Sequence, residues 1–288
     1  MGARVRDALA RRHAACCIVL AAVASNACAH EVRDTAATAL WWLTIVALLA
    51  SAALYVTGMR ALRRRRHAVP MHRTAAFCAG WSALAIALLS PLDRWGEQLF
   101  SAHMLQHELL MLIGAPLLVL GKPLAAFAAA APRTWRAVAA WPRTWRLLTA
   151  PLAAWALHAV VIWVWHAPRL FDAGVTHPWV HAAQHASFFF SALIFWYALL
   201  IAQQLGMTIV YLLTTAIHTA VLGALLTFAP APLYGAYAHT TAVWGLTPLE
   251  DQQLGGLIMW VPAGFVFLLA GLMLFSRWLD AAARVKQS

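Results

Sequence analysis

Two histidine pairs carry the chemistry that can be read from this chain. His103 and His107 are spaced i, i+4, and so are His181 and His185. That spacing stacks two imidazoles on one helix face. Each pair lies near one end of a long apolar stretch, 99–121 for the first and 179–201 for the second. Imidazole ligates copper, zinc, iron and nickel, so each pair is half of a metal or haem site. Met104 and Met111 add thioethers that favour Cu(I), although Met104 points away from His103. Two imidazoles on facing helices would also hold a haem iron from both sides. Thiolate ligation is a poor prospect: Cys16, Cys17 and Cys28 fall in the N-terminal segment, Cys78 stands alone, and there is no CxxC.

The elements that must position these residues are membrane helices. Of 288 residues, 63% are hydrophobic and 11% charged, far from the roughly 25% charged composition of soluble domains. Seven continuous apolar stretches are long enough to span a bilayer: 39–58, 74–90, 99–120, 150–167, 179–201, 208–229 and 254–276. None alternates with period two, so the fold class is all-α, a polytopic membrane helix bundle. The N-terminus reads as a cleaved signal peptide over 1–29. Arg4, Arg6, Arg11 and Arg12 form its basic region, an apolar run covers 14–24, and Ala27-Cys28-Ala29 fits the cleavage pattern. Residues 30–288 then form a single membrane domain.

The net charge of +11 would suggest a nucleic-acid partner in a soluble protein, but here the basic residues sit in short loops. Arg60, Arg63, Arg64, Arg65, Arg66 and Arg73 follow span one. Lys122, Arg133, Arg136, Arg143 and Arg146 follow span three, and Arg277, Arg284 and Lys286 end the chain. The other side has only Arg33, Arg94 and Arg169. The bias predicts an N-out, C-in topology, membrane lipid as the surrounding partner and no nucleic acid. The segment 123–149, with its repeated Pro-Arg-Thr-Trp-Arg, is then a cytoplasmic interfacial loop.

With this orientation His103 and His107, His181 and His185, and His166 all fall at the outer ends of consecutive spans three, four and five. Polar side chains in a bilayer usually face the bundle interior and mark function. His158, His177 and His239 are read instead as packing or interfacial residues, and His218 sits near the middle of span six. Glu108 is a candidate hydrogen-bond acceptor that would take an N–H from a ligand histidine and so fix its tautomer. Thr247 or Asp251 is expected to cap span seven, with Asp251 also a candidate to support the ligand histidines at the outer site. Gly255 and Gly256 would let another backbone approach closely. The stretch 233–244 reads as an interfacial lid with an aromatic belt.

These residues resemble the caa3-type cytochrome c oxidase assembly factors, the CtaG-like integral membrane proteins. The resemblance rests on His103-Met104-Leu105-Gln106-His107 with Ala115-Pro116-Leu117 and Gly121, on Trp165-His166-Ala167-Pro168, on His181-Ala182-Ala183-Gln184-His185, and on 250–256 running into Met259-Trp260-Val261-Pro262. It covers spans three to seven. It implies a non-enzymatic metallochaperone-like role in the bacterial inner membrane, with a cytochrome c oxidase subunit as partner. Copper would be bound at His103, His107, His166, His181 and His185, on the periplasmic or exterior side. A bis-histidine haem protein and a metal transporter are the alternative readings. If the signal peptide is removed, N-terminal sequencing of the purified protein should begin at His30; a sequence beginning at Met1 would mean an uncleaved anchor.

Overall fold

The computed structural model describes residues 35–65, 69–134, 142–201 and 205–285. The proposed signal peptide therefore lies outside the described residues, as does the 135–141 part of the interfacial loop. Helices make up the described chain, with no strand among those residues. In order they are α1 (Thr35–Arg64), α2 (Met71–Leu89), the short α3 (Pro91–Gly96) and α4 (Phe100–Gly121). Then come the short α5 (Leu124–Ala130) and α6 (Pro142–Leu148), α7 (Pro151–Trp165), α8 (Pro168–Thr176), α9 (Pro178–Ile201), α10 (Leu205–Thr227) and α11 (Pro248–Val285). All seven apolar stretches of the sequence are helical. Five helices, α1, α4, α9, α10 and α11, are long and apolar enough to cross a membrane. The 74–90 stretch corresponds to α2, and the 150–167 stretch to a helix of 15 residues, short for a full span. Proline at the first turn starts α7 and α8 with its φ already set.

The bundle is built round α4. Within its most apolar window 67% of residues are buried, against 50% or less in the other long helices. One apolar cluster, with Phe100, Met104, Phe171, Phe188 and Phe195, joins it to α7, α8, α9 and α11. A second, with Tyr55, Phe77, Leu84, Leu110 and Leu118, joins it to α1 and α2. Midway, six residues from Leu109 to Gly114 form a π-helical turn. The Met111 carbonyl there accepts a hydrogen bond of 2.9 Å from the Trp196 indole of α9, an outside donor at a turn whose own ladder is disturbed.

Close helix approach depends on missing side chains. A Cβ at Gly255 would run into the Phe100 ring, and one at Gly256 would stand 2.8 Å from the Gly223 carbonyl oxygen of α10. At the opposite end a Cβ at Gly58 would run into the Ala126 carbonyl of α5. The arginines that end α1 and the lysine that ends α4 therefore share one end of the bundle. The loops that carry Arg94 and Arg169 share the other.

Gly255→Ala should destabilise the protein by roughly 1–3 kcal/mol through overpacking. Gly264→Ala, on the same helix with nothing within 4 Å, should not. Melting temperatures in mild detergent test the pair, and equal effects would rule out the packing explanation.

Candidate metal centre

The end of the bundle with few basic residues is closed by loops tied to one another through hydrogen bonds. The start of α4 lacks a cap of its own, since Leu99 offers no side-chain acceptor. Asp251, some 150 residues later at the start of α11, supplies it. Its carboxylate accepts the Phe100 N–H at 2.6 Å, the Ser101 N–H at 3.1 Å and the Ser101 hydroxyl. A fully buried carboxylate at a helix N-terminus satisfies orphan amides and suits the dipole. The cap of α11 itself is a separate, exposed capping box. Thr247 N–H and hydroxyl both donate to Glu250 at 2.8 Å, and Glu250 N–H donates to the Thr247 hydroxyl at 3.2 Å. Of the two expected caps for this helix, Thr247 or Asp251, the structure gives that role to Thr247, paired with Glu250, and puts Asp251 at the start of α4. Gln106 holds the same helix from its other side, donating to the Ala87 carbonyl at 2.8 Å and to Asp93 at 2.9 Å. Burial pushes the Asp93 carboxyl up from its usual range, partly offset by that hydrogen bond.

With α4 held, all five histidines singled out from the sequence come together. His103 and His107 project from α4, His181 and His185 from α9, and His166 caps the C-terminus of α7. Ring centroids are 4.4 Å apart within the α4 pair and 4.1 Å within the α9 pair. Between helices they are 5.2 Å for His103 and His181, 5.4 Å for His103 and His185, and 5.2 Å for His107 and His185. His166 is the outlier, 6.3 Å from His107. Nitrogen atoms of His103, His181 and His185 all lie within 4.8 Å of one another, close enough for one ion to gather them after small rotations. His181 is half-buried; the other four are buried.

The polar atoms left over show what the cluster lacks. The Nε2 atoms of His103, His107, His166, His181 and His185 are buried and have no hydrogen-bond partner, and neither has His107 Nδ1. Buried polar atoms are seldom left in this state, because each costs about 1–3 kcal/mol. The tautomers of two rings follow from their other nitrogen. His166 Nδ1–H donates to the Ile162 carbonyl at 2.7 Å. The Tyr237 hydroxyl donates to the Gly96 carbonyl at 2.9 Å and so accepts from His103 Nδ1–H at 3.2 Å. Both rings therefore present an Nε2 lone pair to the cluster, the arrangement in which outer hydrogen bonds orient metal-ligating histidines.

Tyr237 is a site residue that the sequence reading placed in an aromatic belt. It is instead buried, with its neighbour Tyr234, against Phe100 and Phe171. Tyr234 donates to the His166 carbonyl at 3.1 Å. Burial, with Asp251 and Asp172 nearby, pushes the Tyr237 phenol well up, so it remains a proton donor. Asp172 pins this loop by accepting the Gly235 and Ala236 N–H groups at 3.2 and 3.1 Å. Gln184 was also missed: it is fully buried against Gly174 and its amide has no partner. Its position between two ligand-spaced histidines was the only available signal. Glu108 makes no hydrogen bond to a candidate histidine ligand; it lines a different cavity, with Met111 and His158. Met104 packs against Gly255, away from the cluster. His177 pairs with Thr176, His218 accepts from Trp163, and His239 is exposed.

A buried helical site of this composition defines a membrane protein with a polyhistidine centre. The family model of the cytochrome c oxidase caa3 assembly factor matches residues 53–281, and the chain belongs to that family. It is also similar to uncharacterized proteins of Mycobacterium leprae, at 26% identity over 248 residues, and of Mycobacterium bovis and Mycobacterium tuberculosis, at 25%. Each match takes in 80% of this chain but 38% of the relative, so the chain spans well under half the length of those proteins. No solved structure matches.

Asp251→Ala should cost about 1–3 kcal/mol, since it strands buried amides at the start of α4. Glu250→Ala, in the exposed box, should cost less than about 1 kcal/mol. Thermal melts of both variants check the difference, and equal losses would remove Asp251 as the anchor of α4.

Proposed function

We propose that this oxidase assembly factor acts without catalysis. In this reading it binds copper at His103, His107, His181 and His185, with His166 as a fifth donor, and passes the ion to a cytochrome c oxidase subunit. The observation that carries the reading is the set of five imidazoles whose buried Nε2 atoms lack any partner. Neutral imidazole is a general ligand for copper, and an all-histidine site needs no thiolate. Rings packed directly on one another suit one shared ion better than a haem plane between them. More donors than one ion requires also suit a carrier, because ligands can be released one at a time as a partner takes over. His181, the least buried of the five, is the natural point of exchange.

Sidedness belongs to the same reading. Arg60, Arg63, Arg64, Arg65 and Lys122 lie at the end opposite the histidines, and this basic bias supports a cytoplasmic side for that end and a periplasmic or exterior side, at a bacterial inner membrane, for the histidines.

The test is a Cu(I) competition titration of the purified full-length protein in detergent. His107→Ala combined with His185→Ala should weaken the cluster's Cu(I) affinity by more than about 100-fold, exceeding the effect of losing an outer hydrogen bond. Unchanged affinity and stoichiometry would overturn the copper site.

A further inference from the structure

A second cavity lies deeper along α4, one turn beyond His107. It has a volume of about 20 Å³ and is lined by Glu108, Met111, His158, Thr219, Met259 and apolar side chains. That is room for a single water or ion. The π-helical turn begins directly after Glu108, at the position where α4 changes from the histidine cluster to this cavity. Glu108 is 7% exposed and its Oε2 has no hydrogen-bond partner. No lysine or arginine lines the cavity. His158 is arranged like a ligand. The Ser191 hydroxyl donates to the Phe188 carbonyl at 3.1 Å and therefore accepts from His158 Nδ1–H at 3.0 Å. Its Nε2 is then the nitrogen with the lone pair.

The geometry points to a second metal site here, for one soft monovalent cation of the Cu(I) or Ag(I) class, held by the Met111 and Met259 thioethers and the His158 imidazole with Glu108 as counter-charge. Thioether and imidazole together select a soft ion over sodium or potassium. A single positive charge beside a single carboxylate leaves the cavity neutral, the arrangement that an apolar interior tolerates. This site uses none of the five outer histidines, so it stands or falls separately from them. If both sites bind, α4 presents two successive stations for the same ion, joined through His107 and Met111 at i, i+4.

The experiment is equilibrium dialysis of the purified full-length protein with Ag(I), a redox-inert probe. Met111→Leu with Met259→Leu conserves volume, and the variant should stay folded, with a melt close to that of the unmodified protein. It should remove about one equivalent of bound Ag(I), and the His107→Ala, His185→Ala variant a different equivalent. Glu108→Gln should weaken the inner equivalent at least about tenfold by removing the counter-charge. Unchanged stoichiometry in the methionine variant would overturn the inner site. Loss in the methionine variant with none in the histidine variant would support it and overturn the outer one. X-ray absorption of Ag(I) bound to the histidine variant, which keeps both methionines, should show sulfur scatterers. Nitrogen and oxygen alone would overturn the proposal, whatever the folding of the methionine variant.

Discussion

The carboxylate of Asp251 holds the free amides at the start of α4, and the histidine cluster depends on that anchorage. α4 contributes His103 and His107 within its first two turns, the part of any helix most prone to fray because its N–H groups lack partners. In most helices the cap comes from the residue just before. Here it comes from another helix, so the same two hydrogen bonds that end the fraying also fix α11 against α4. Gly255 lets the two backbones close on Phe100, and Phe100 in turn packs on Tyr234 and Phe171. The Tyr237 hydroxyl that orients His103 is part of that assembly. Helix cap, helix contact and ligand orientation are therefore one connected structure.

The histidine set shows which parts of such a site a sequence makes legible. Spacing of i, i+4 puts two rings on one face whatever the neighbours, so both pairs could be read directly. Matching depth on consecutive helices joined the pairs to each other and to His166, because short connections leave few arrangements open. The all-helical class was equally plain in the long apolar runs. The tyrosines were not legible. Nothing local separates a Tyr237 lying in the headgroup layer from one buried between Phe100 and Phe171; that choice is made by chain 130 residues away. Asp251 was half-read for a similar reason. An acid near a helix start caps whichever orphan amides it can reach, and the spacing cannot say whose they are. Glu108 was attached to its neighbour His107 by proximity in sequence, yet adjacent helical residues point about 100° apart, and the structure sends Glu108 to the other cavity.

The two apolar clusters explain why α4 tolerates so many polar groups. Helices pack on it from both sides, so its imidazoles, amide and carboxylate meet protein rather than lipid. The Nδ1 atoms of His103, His166 and His158 are satisfied by Tyr237, a backbone carbonyl and Ser191. Among the buried side-chain atoms left without a partner are the five Nε2 atoms, His107 Nδ1, the Gln184 amide and the Glu108 Oε2.

The π-helical turn between Leu109 and Gly114 has a consequence for how this helix can evolve. A wider turn accommodates an added residue without lengthening the rod by a full step, and so it resets the phase of everything after it. The outer and inner halves of α4 are thereby geared separately. Residues facing the histidine chamber and residues facing Phe77 and Leu84 need not obey one common periodicity. Removing a single residue from the turn would not merely shorten the helix; it would swing one half by about 100° relative to the other and exchange their neighbours.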